Sequence, residues 1–268
     1  MTTSATGDRL ESVLRHDRML VGLALAVLVA AAWLYLARMA VEMSSEGHAS
    51  MATMSMLAMQ MWDWPEVVLL AVMWAIMMVA MMVPAATPMI LMFAAIHRRR
   101  AASGGAAVST SVFVLGYLAV WTAFSIVAAL VQAALHMAAV ISPAMAATSP
   151  LIAAGVLVAA GVFQWTPLKH TCLAACRSPL TFVMTRWREG RAGALRMGVR
   201  HGLYCLGCCW VLMALLFVAG VMNLAWVAIL AVAVLVERLV PRGELVARGI
   251  GIALVAAGVW VSVPALVR

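Results

Sequence analysis

The sequence has little charge, because only 10% of its residues are Asp, Glu, Lys or Arg, whereas 66% are hydrophobic. A soluble domain has about 25% charged and about 45–50% apolar residues, so a soluble globular protein is excluded. Basic residues end the apolar segments and form no continuous patch, which excludes a nucleic-acid partner despite the formal charge of +8. No nucleotide-binding motif is present, so transport driven by ATP is not expected.

Cysteine is also scarce and is confined to one segment. The five cysteines all lie between Cys172 and Cys209. An odd number in so short a stretch does not fit the disulfide framework of a secreted domain.

Seven apolar runs are long enough to cross a hydrocarbon core of ~30 Å, which takes about 20 helical residues. They lie at roughly 19–41, 66–95, 108–135, 150–168, 203–220, 222–240 and 249–266. We therefore expect an all-α polytopic bundle of about seven transmembrane helices, which forms a single domain over residues 1–268. The division at Gly220 to Asn223 interrupts a continuous apolar stretch, and drawing that stretch differently gives six spans.

The basic residues predict the orientation of the chain. With the N-terminus in the cytoplasm, 16 of the 18 Lys and Arg residues lie inside. The first run is too long for a signal-peptide core and is expected to remain as an anchor. This orientation places a Met/His-rich loop at 42–64 on the outer, periplasmic side. It places a basic, Cys-containing loop at 169–202 in the cytoplasm.

The basic loop contains an amphipathic stretch that is expected to lie along the inner membrane surface, with membrane lipid as its partner. Its apolar side chains are expected to face the lipid, namely Phe182, Met184 and Trp187. Its arginines are expected to face lipid phosphates, namely Arg186, Arg188 and Arg191.

Few polar residues interrupt the spans. Gln132 and Gln164 are expected to form interhelical hydrogen bonds. Glu237 and its neighbour Arg238 predict an ion pair at the inner interface rather than an ion pathway. The two histidines that could serve as axial haem ligands, His97 and His136, are expected at opposite ends of their spans. They could not share one haem, so no haem is expected.

Methionine is abundant in the second run and in the loop before it. The run carries seven methionines on one half of a helix, in a column ~28 Å long. Pro84 and Pro88 in the same run are expected to release carbonyls near Ala80 and Pro84. Thioether sulfur is a soft ligand suited to Cu(I), although methionine is also a common gap filler in cores. The candidate ligands are His48, Met51, Met54, Met56, Met59, Met61, Met73, Met77 and Met81.

The cysteines form two groups with helical spacing, which are Cys172 with Cys176, and Cys205 with Cys208 and Cys209. Each group presents sulfurs on adjacent turns and can clamp one soft ion. Both groups are expected at the cytoplasmic interface, where thiols stay reduced, so metal ligation is favoured over disulfides. Unliganded packing of small apolar cysteines is the alternative. His170 and His201 flank the groups as possible nitrogen ligands.

Three motifs support a resemblance: MWAIMMVAMMVPAATPM, FQWTPLKHTCLAACRSPL and the stretch from GVRHGLYCLGCCWVLM to VLVER. Over roughly residues 65–240 the chain resembles a family of predicted metal-binding bacterial integral membrane proteins of unknown function. The resemblance implies a helical protein of the bacterial inner membrane and metal binding by the motif cysteines. It implies no established reaction.

These features predict a non-enzymatic membrane protein that handles copper as Cu(I), by capture, transfer or passive uptake. Thioether ligands outside and thiolates inside favour inward movement. The expected partners are a cuproenzyme, a copper chaperone or a larger membrane complex. Two alternatives stay open: a non-catalytic accessory or assembly subunit of such a complex, and uptake of another thiophilic metal such as mercury.

Overall fold

The computed structural model describes residues 3–46, 64–103, 110–138, 140 and 149–266. These ranges contain ten α-helices and no strand. The helices are α1 (Thr3–Glu46), α2 (Trp64–Ala102), α3 (Thr110–Met137), α4 (Pro150–Phe163), α5 (Pro167–Arg177), α6 (Pro179–Arg186), α7 (Gly190–Ala214), α8 (Leu216–Ala219), α9 (Leu224–Leu239) and α10 (Gly243–Leu266). The all-α prediction is confirmed for this part of the chain.

Five helices in the described ranges are long and apolar enough to cross a membrane. These segments are Met19–Glu42, Trp64–Arg100, Thr110–Met137, Gly190–Ala219 and Gly243–Val263. Helices α4 and α5 meet at a bend of 62° and add a sixth candidate if the pair is one span. The run at 222–240, expected as a further span, forms α9, which has only 16 residues. Such a helix is ~24 Å long and falls short of the ~30 Å core, so the range is five to six rather than seven.

The chain breaks where the sequence indicated, between α8 and α9. Gly220 has a φ of 96°, a left-handed conformation that glycine adopts at little cost. The side-chain oxygen of Asn223 then accepts a hydrogen bond from the backbone N–H of Trp226 at 3.1 Å and caps α9. A turn residue and a cap therefore separate two apolar segments that hydropathy alone would merge.

Helix α2 passes through both of its prolines without ending. Pro84 cannot donate to Ala80, whose carbonyl instead accepts the indole N–H of Trp33 from α1 at 3.2 Å. The hydroxyl of Thr87 donates to the carbonyl of Val83 at 2.9 Å. The expected free carbonyl near Ala80 is thus satisfied by a neighbouring helix, which ties α1 to α2.

Glycines allow α3 and α7 to pack closely. A Cβ on Gly116 would collide with the backbone of α7, and a Cβ on Gly198 would collide with the carbonyl of Phe113. Gly202 lies against Val120, with its nearest contact 3.0 Å from an added Cβ. Small residues at a helix crossing bring backbones together in membrane proteins. This contact brings the aromatic side chains of α3 close to the cysteines of α7.

The segment 169–202 is helical throughout most of its length, since it contains α5, α6 and the first half of α7. Met184 is exposed, as the amphipathic pattern predicts, but Phe182 is buried. The ring of Phe182 packs edge-on against His201, with centroids 5.7 Å apart. The prediction that Phe182 faces the lipid is therefore wrong, because the short helix α6 folds back onto α7.

Of the two glutamines expected to bridge helices, one does so. Gln132 accepts a hydrogen bond from the indole of Trp74 at 2.6 Å, which joins α3 to α2. Gln164 is completely buried, and neither of its amide atoms has a hydrogen-bond partner among the described residues.

Candidate functional site

Three cysteines of α7 lie together in the core. Cys205, Cys208 and Cys209 are each at most 1% exposed. Their i, i+3 and i+4 spacing puts them on one side of the helix. The thiols of Cys208 and Cys209 donate to the carbonyl of Cys205 at 3.1 and 3.0 Å. All three sulfurs are therefore held within about one turn.

Helix α5 brings the other two cysteines to the same region. The side chain of Cys176 lies close to that of Cys208. Cys172 packs against Gly207, where an added Cβ would stand 2.7 Å from its sulfur. Glycine at this position lets α5 approach α7 closely enough for the two cysteine groups to adjoin.

Both ends of α5 are fixed. At its start, the hydroxyl of Thr166 accepts a hydrogen bond from the backbone N–H of Lys169 at 3.3 Å. At its end, the guanidinium of Arg177 donates to the carbonyls of Val240 and Pro241, just after α9. The two cysteines of α5 are therefore held on a helix that is capped at one end and tied to its neighbour at the other.

Tyr117 of α3 and Met82 of α2 complete the surroundings. The phenol of Tyr117 donates its single hydrogen to the carbonyl of Met82 at 3.0 Å. Its oxygen lies 3.0 Å from the sulfur of Cys205, so the Cys205 thiol is the donor in that pair. The sulfur of Met82 lies 3.9 Å from that of Cys209. We call the five cysteines and Met82 the sulfur cluster.

A buried arginine also contacts the cluster. Arg238 of α9 is 6% exposed, and one of its amino groups donates to the carbonyl of Cys205 at 3.2 Å. The same nitrogen lies 3.2 Å from the sulfur of Cys208 and 3.7 Å from that of Cys209. The expected interfacial pair between Arg238 and Glu237 does not form, because successive residues of a helix point in different directions. The sequence reasoning missed this arginine as a neighbour of the thiols.

Glu237 instead pairs with Lys169 of α5. Their charged atoms are 2.6 Å apart, and both side chains are at most 1% exposed. A buried pair of this kind neutralises itself, although removing both charges from water is costly. Consequently, no carboxylate of the described ranges forms an ion pair with Arg238, which lies against the sulfurs.

A comparison with protein families gives a match over most of the chain. Residues 71–261 match the family model PpoB2, which is described as a copper chaperone. The match covers well over half of the chain. The chain belongs to the PpoB2 copper chaperone family. No curated protein matches the sequence, and no solved structure does. The family supports the expected copper-related role, and the helices support the expected membrane location.

Thioether sulfur is a soft ligand, and the methionines of α2 that were considered as ligands lie in the interior of the chain. Met73, Met77 and Met81 are at most 3% exposed and belong to the core. No hydrogen bond in the described part of the chain joins these three residues to a cysteine. Met82, on the same helix, makes the sulfur contact instead. The candidate ligands of the outer loop lie outside the described residues, namely His48, Met51, Met54, Met56, Met59 and Met61.

The sulfurs of this copper chaperone family member are engaged with one another and with the backbone. Within the described ranges, no group of three or more His, Cys, Asp or Glu side chains is arranged to hold a metal ion. His201, one turn before Cys205, is buried and stacks on Tyr117 with centroids 5.7 Å apart. Thiols and thioethers are nevertheless the donors that Cu(I) prefers. Binding an ion here requires exchange of the S–H hydrogen bonds for bonds to the metal.

Proposed function

We propose that this chain is a non-enzymatic membrane protein that binds Cu(I) at the sulfur cluster and passes it to a cuproenzyme or to another copper chaperone. The observation that carries the proposal is the convergence of thiols from α5 and α7 on one buried region, beside the thioether of Met82 at 3.9 Å from Cys209. Membership of a copper chaperone family supports copper as the metal.

The buried charges favour a monovalent soft ion. Cu(I) held by two thiolates carries a net charge of −1, and Arg238 lies 3.2 Å from Cys208 and 3.7 Å from Cys209. The guanidinium and such a group would neutralise each other in the core, where an uncompensated charge is expensive. A divalent ion held by the same two thiolates would leave the charge of Arg238 unbalanced. The geometry therefore supports Cu(I) over Zn²⁺ at this pair.

The methionines of α2 supply a route to the cluster in this proposal. Cu(I) is captured by His48 and the methionines of the outer loop, and moves along the buried thioethers of Met73, Met77 and Met81. Met82 then delivers the ion to Cys209, with which it is in contact. Thiolates bind Cu(I) more tightly than thioethers do, so the ion moves towards the cysteines. With a cytoplasmic N-terminus, this movement is inward across the bacterial inner membrane.

Copper analysis of purified protein tests the proposal. We compare the parent chain with the Cys205→Ser/Cys208→Ser/Cys209→Ser variant, in detergent, without oxygen and with added Cu(I). The variant should lose most of the tightly bound copper. Met82→Leu should keep the thiol-bound copper but load it more slowly. Met184→Leu is the matched control, because Met184 is an exposed methionine away from the cluster.

Three outcomes would contradict the proposal. Unchanged copper content in the triple variant would exclude the cysteines as ligands. A stable, metal-free chain that co-purifies with a larger complex would favour an accessory subunit. Tighter retention of Hg²⁺ than of Cu(I), with mercury sensitivity altered in a deletion strain, would favour uptake of mercury. Melting temperatures of the variants in the same detergent show whether any loss reflects unfolding.

A further inference from the structure

A second feature of the molecule lies at the start of α7, away from the sulfur cluster. Here α6, the turn after it and α7 surround a cavity of about 480 Å³. Four arginines line the cavity together with Trp187 and Thr185. These arginines are Arg186, Arg188, Arg196 and Arg200. We call this cavity the arginine pocket.

The positive charge of the arginine pocket has no matching negative charge. Between Glu66 and Glu237 the sequence has a single acidic residue, Glu189. Its carboxylate is 3.6 Å from Arg100, a residue that does not line the pocket. Among the described residues, no carboxylate pairs with any of the four lining arginines. Like charges crowded into one cavity repel each other, and an anion bound between them relieves that repulsion.

The donors in the pocket suit a phosphate group. A guanidinium presents N–H groups in a planar fork that matches phosphate oxygens, often through two bonds at once. The hydroxyl of Thr185 already donates to the carbonyl of Thr181 at 2.7 Å, so recognition depends on the arginines. Arg200 keeps further N–H groups available after donating to the hydroxyl of Tyr204 at 3.4 Å.

The residues around the pocket have the character of a membrane boundary. The two helices that carry the lining residues also carry exposed apolar side chains, which are Leu180 and Met184 on α6 and Leu195 and Leu203 on α7. The candidate membrane span of α7 begins at Gly190, so Arg196 and Arg200 lie in its first half. A ligand with a phosphate head and an apolar tail matches this combination of exposed apolar surface and clustered arginines. We propose that the arginine pocket is a phosphate-binding site at the membrane boundary, which takes the phosphate of an anionic lipid or soluble phosphate.

Binding measurements on the full chain in detergent distinguish the two sources. In the first measurement, phosphatidylglycerol is added to the protein, and zwitterionic phosphatidylcholine serves as the comparison lipid. Native mass spectrometry counts the lipids that are bound. The second measurement titrates inorganic phosphate calorimetrically at constant ionic strength. Arg196→Gln/Arg200→Gln should weaken binding about tenfold or more, since each lost charge-assisted hydrogen bond is worth a comparable factor. Arg186→Gln/Arg188→Gln provides a second variant in case the first does not fold.

Arg248→Gln is the matched control, because Arg248 is an exposed arginine of α10 that does not line the pocket. Saturable phosphatidylglycerol binding that the pocket variants lose and the control keeps supports a lipid headgroup. The same pattern with inorganic phosphate supports soluble phosphate. Absence of saturable binding in both measurements, or equal weakening by Arg248→Gln, overturns the proposal. Copper content should be unchanged in all three variants, which separates this site from the sulfur cluster.

Discussion

The charged side chains near the two halves of α7 differ in burial and in pairing. At its start, the arginine pocket leaves several arginines partly or fully exposed and without carboxylate partners. One to two turns further along, the sulfur cluster adjoins three buried charges, and each of them has a defined contact. Glu237 pairs with Lys169, and Arg238 contacts the cysteines. Exposed arginines can remain available for a ligand because water solvates them, whereas buried charges must be compensated within the fold.

The largest expected difference concerns two glutamates, the buried Glu237 beside the sulfur cluster and the exposed Glu189 in the turn before α7. Glu237→Ala leaves Lys169 buried without a partner and should lower the free energy of unfolding by about 3–5 kcal/mol. Glu189→Ala removes only an exposed contact with Arg100 and should cost no more than about 1 kcal/mol. Thermal unfolding in detergent compares the two variants. Equal losses would mean that burial does not distinguish these ion pairs.

Replacing both members of the buried pair tests whether the loss of stability comes from an unpaired charge or from lost packing. Lys169→Met/Glu237→Leu leaves no unpaired charge, so this double variant should be more stable than Glu237→Ala. A double variant as unstable as the single one would indicate that packing, rather than charge, causes the loss.

A smaller effect, on the affinity for Cu(I), is expected when the buried Arg238 is compared with Arg196 of the arginine pocket. Arg238→Gln removes the positive charge beside Cys208 and Cys209, so the affinity for Cu(I) should fall about tenfold. Arg196→Gln alters the arginine pocket and should leave that affinity unchanged. Competition with a coloured Cu(I) chelator, without oxygen, measures both values. An Arg238→Gln variant with the affinity of the parent chain would contradict a role for the guanidinium in charge balance.

The smallest effect is expected from removing one hydroxyl at each site. Tyr117→Phe leaves the carbonyl of Met82 and the thiol of Cys205 without this partner, and should destabilise the fold by about 1 kcal/mol. Tyr204→Phe removes only a 3.4 Å contact with Arg200 and should have little effect. Chemical denaturation in mixed micelles compares the two. A larger loss of stability in Tyr204→Phe than in Tyr117→Phe would contradict the expected difference between the buried and the exposed site.

Local sequence features explain much of the helical framework. Apolar runs predicted the main helices, and the Gly220 to Asn223 break was located correctly because turn and cap residues act locally. Pro84 was correctly expected to free the carbonyl of Ala80. Trp33, the donor that satisfies this carbonyl, lies 47 positions earlier and could not be inferred from local pattern. The short length of α9 was missed, since hydropathy does not show where a helix begins.

For the candidate site too, the sequence predicted the contacts within one helix but not those between helices. Spacing along α7 determined that Cys205, Cys208 and Cys209 share one side of the helix. The sequence alone also identified Cys172 and Cys176 as a second group. It gave no sign that Arg238 would turn away from Glu237, or that Lys169 would lie buried against that glutamate. A capping signal at Thr166 was present in the sequence and could have indicated how α5 starts.

By itself, the sequence determined that this protein is helical, with segments long and apolar enough to cross a membrane and with clustered sulfur side chains, because composition and helical spacing are properties of single segments. The tertiary structure decided which segments meet. Gly207 admits Cys172 of α5, the glycines of α3 and α7 admit Tyr117, and α9 contributes Arg238. Such contacts depend on the close approach of distant helices, where a single Cβ decides whether two backbones can touch.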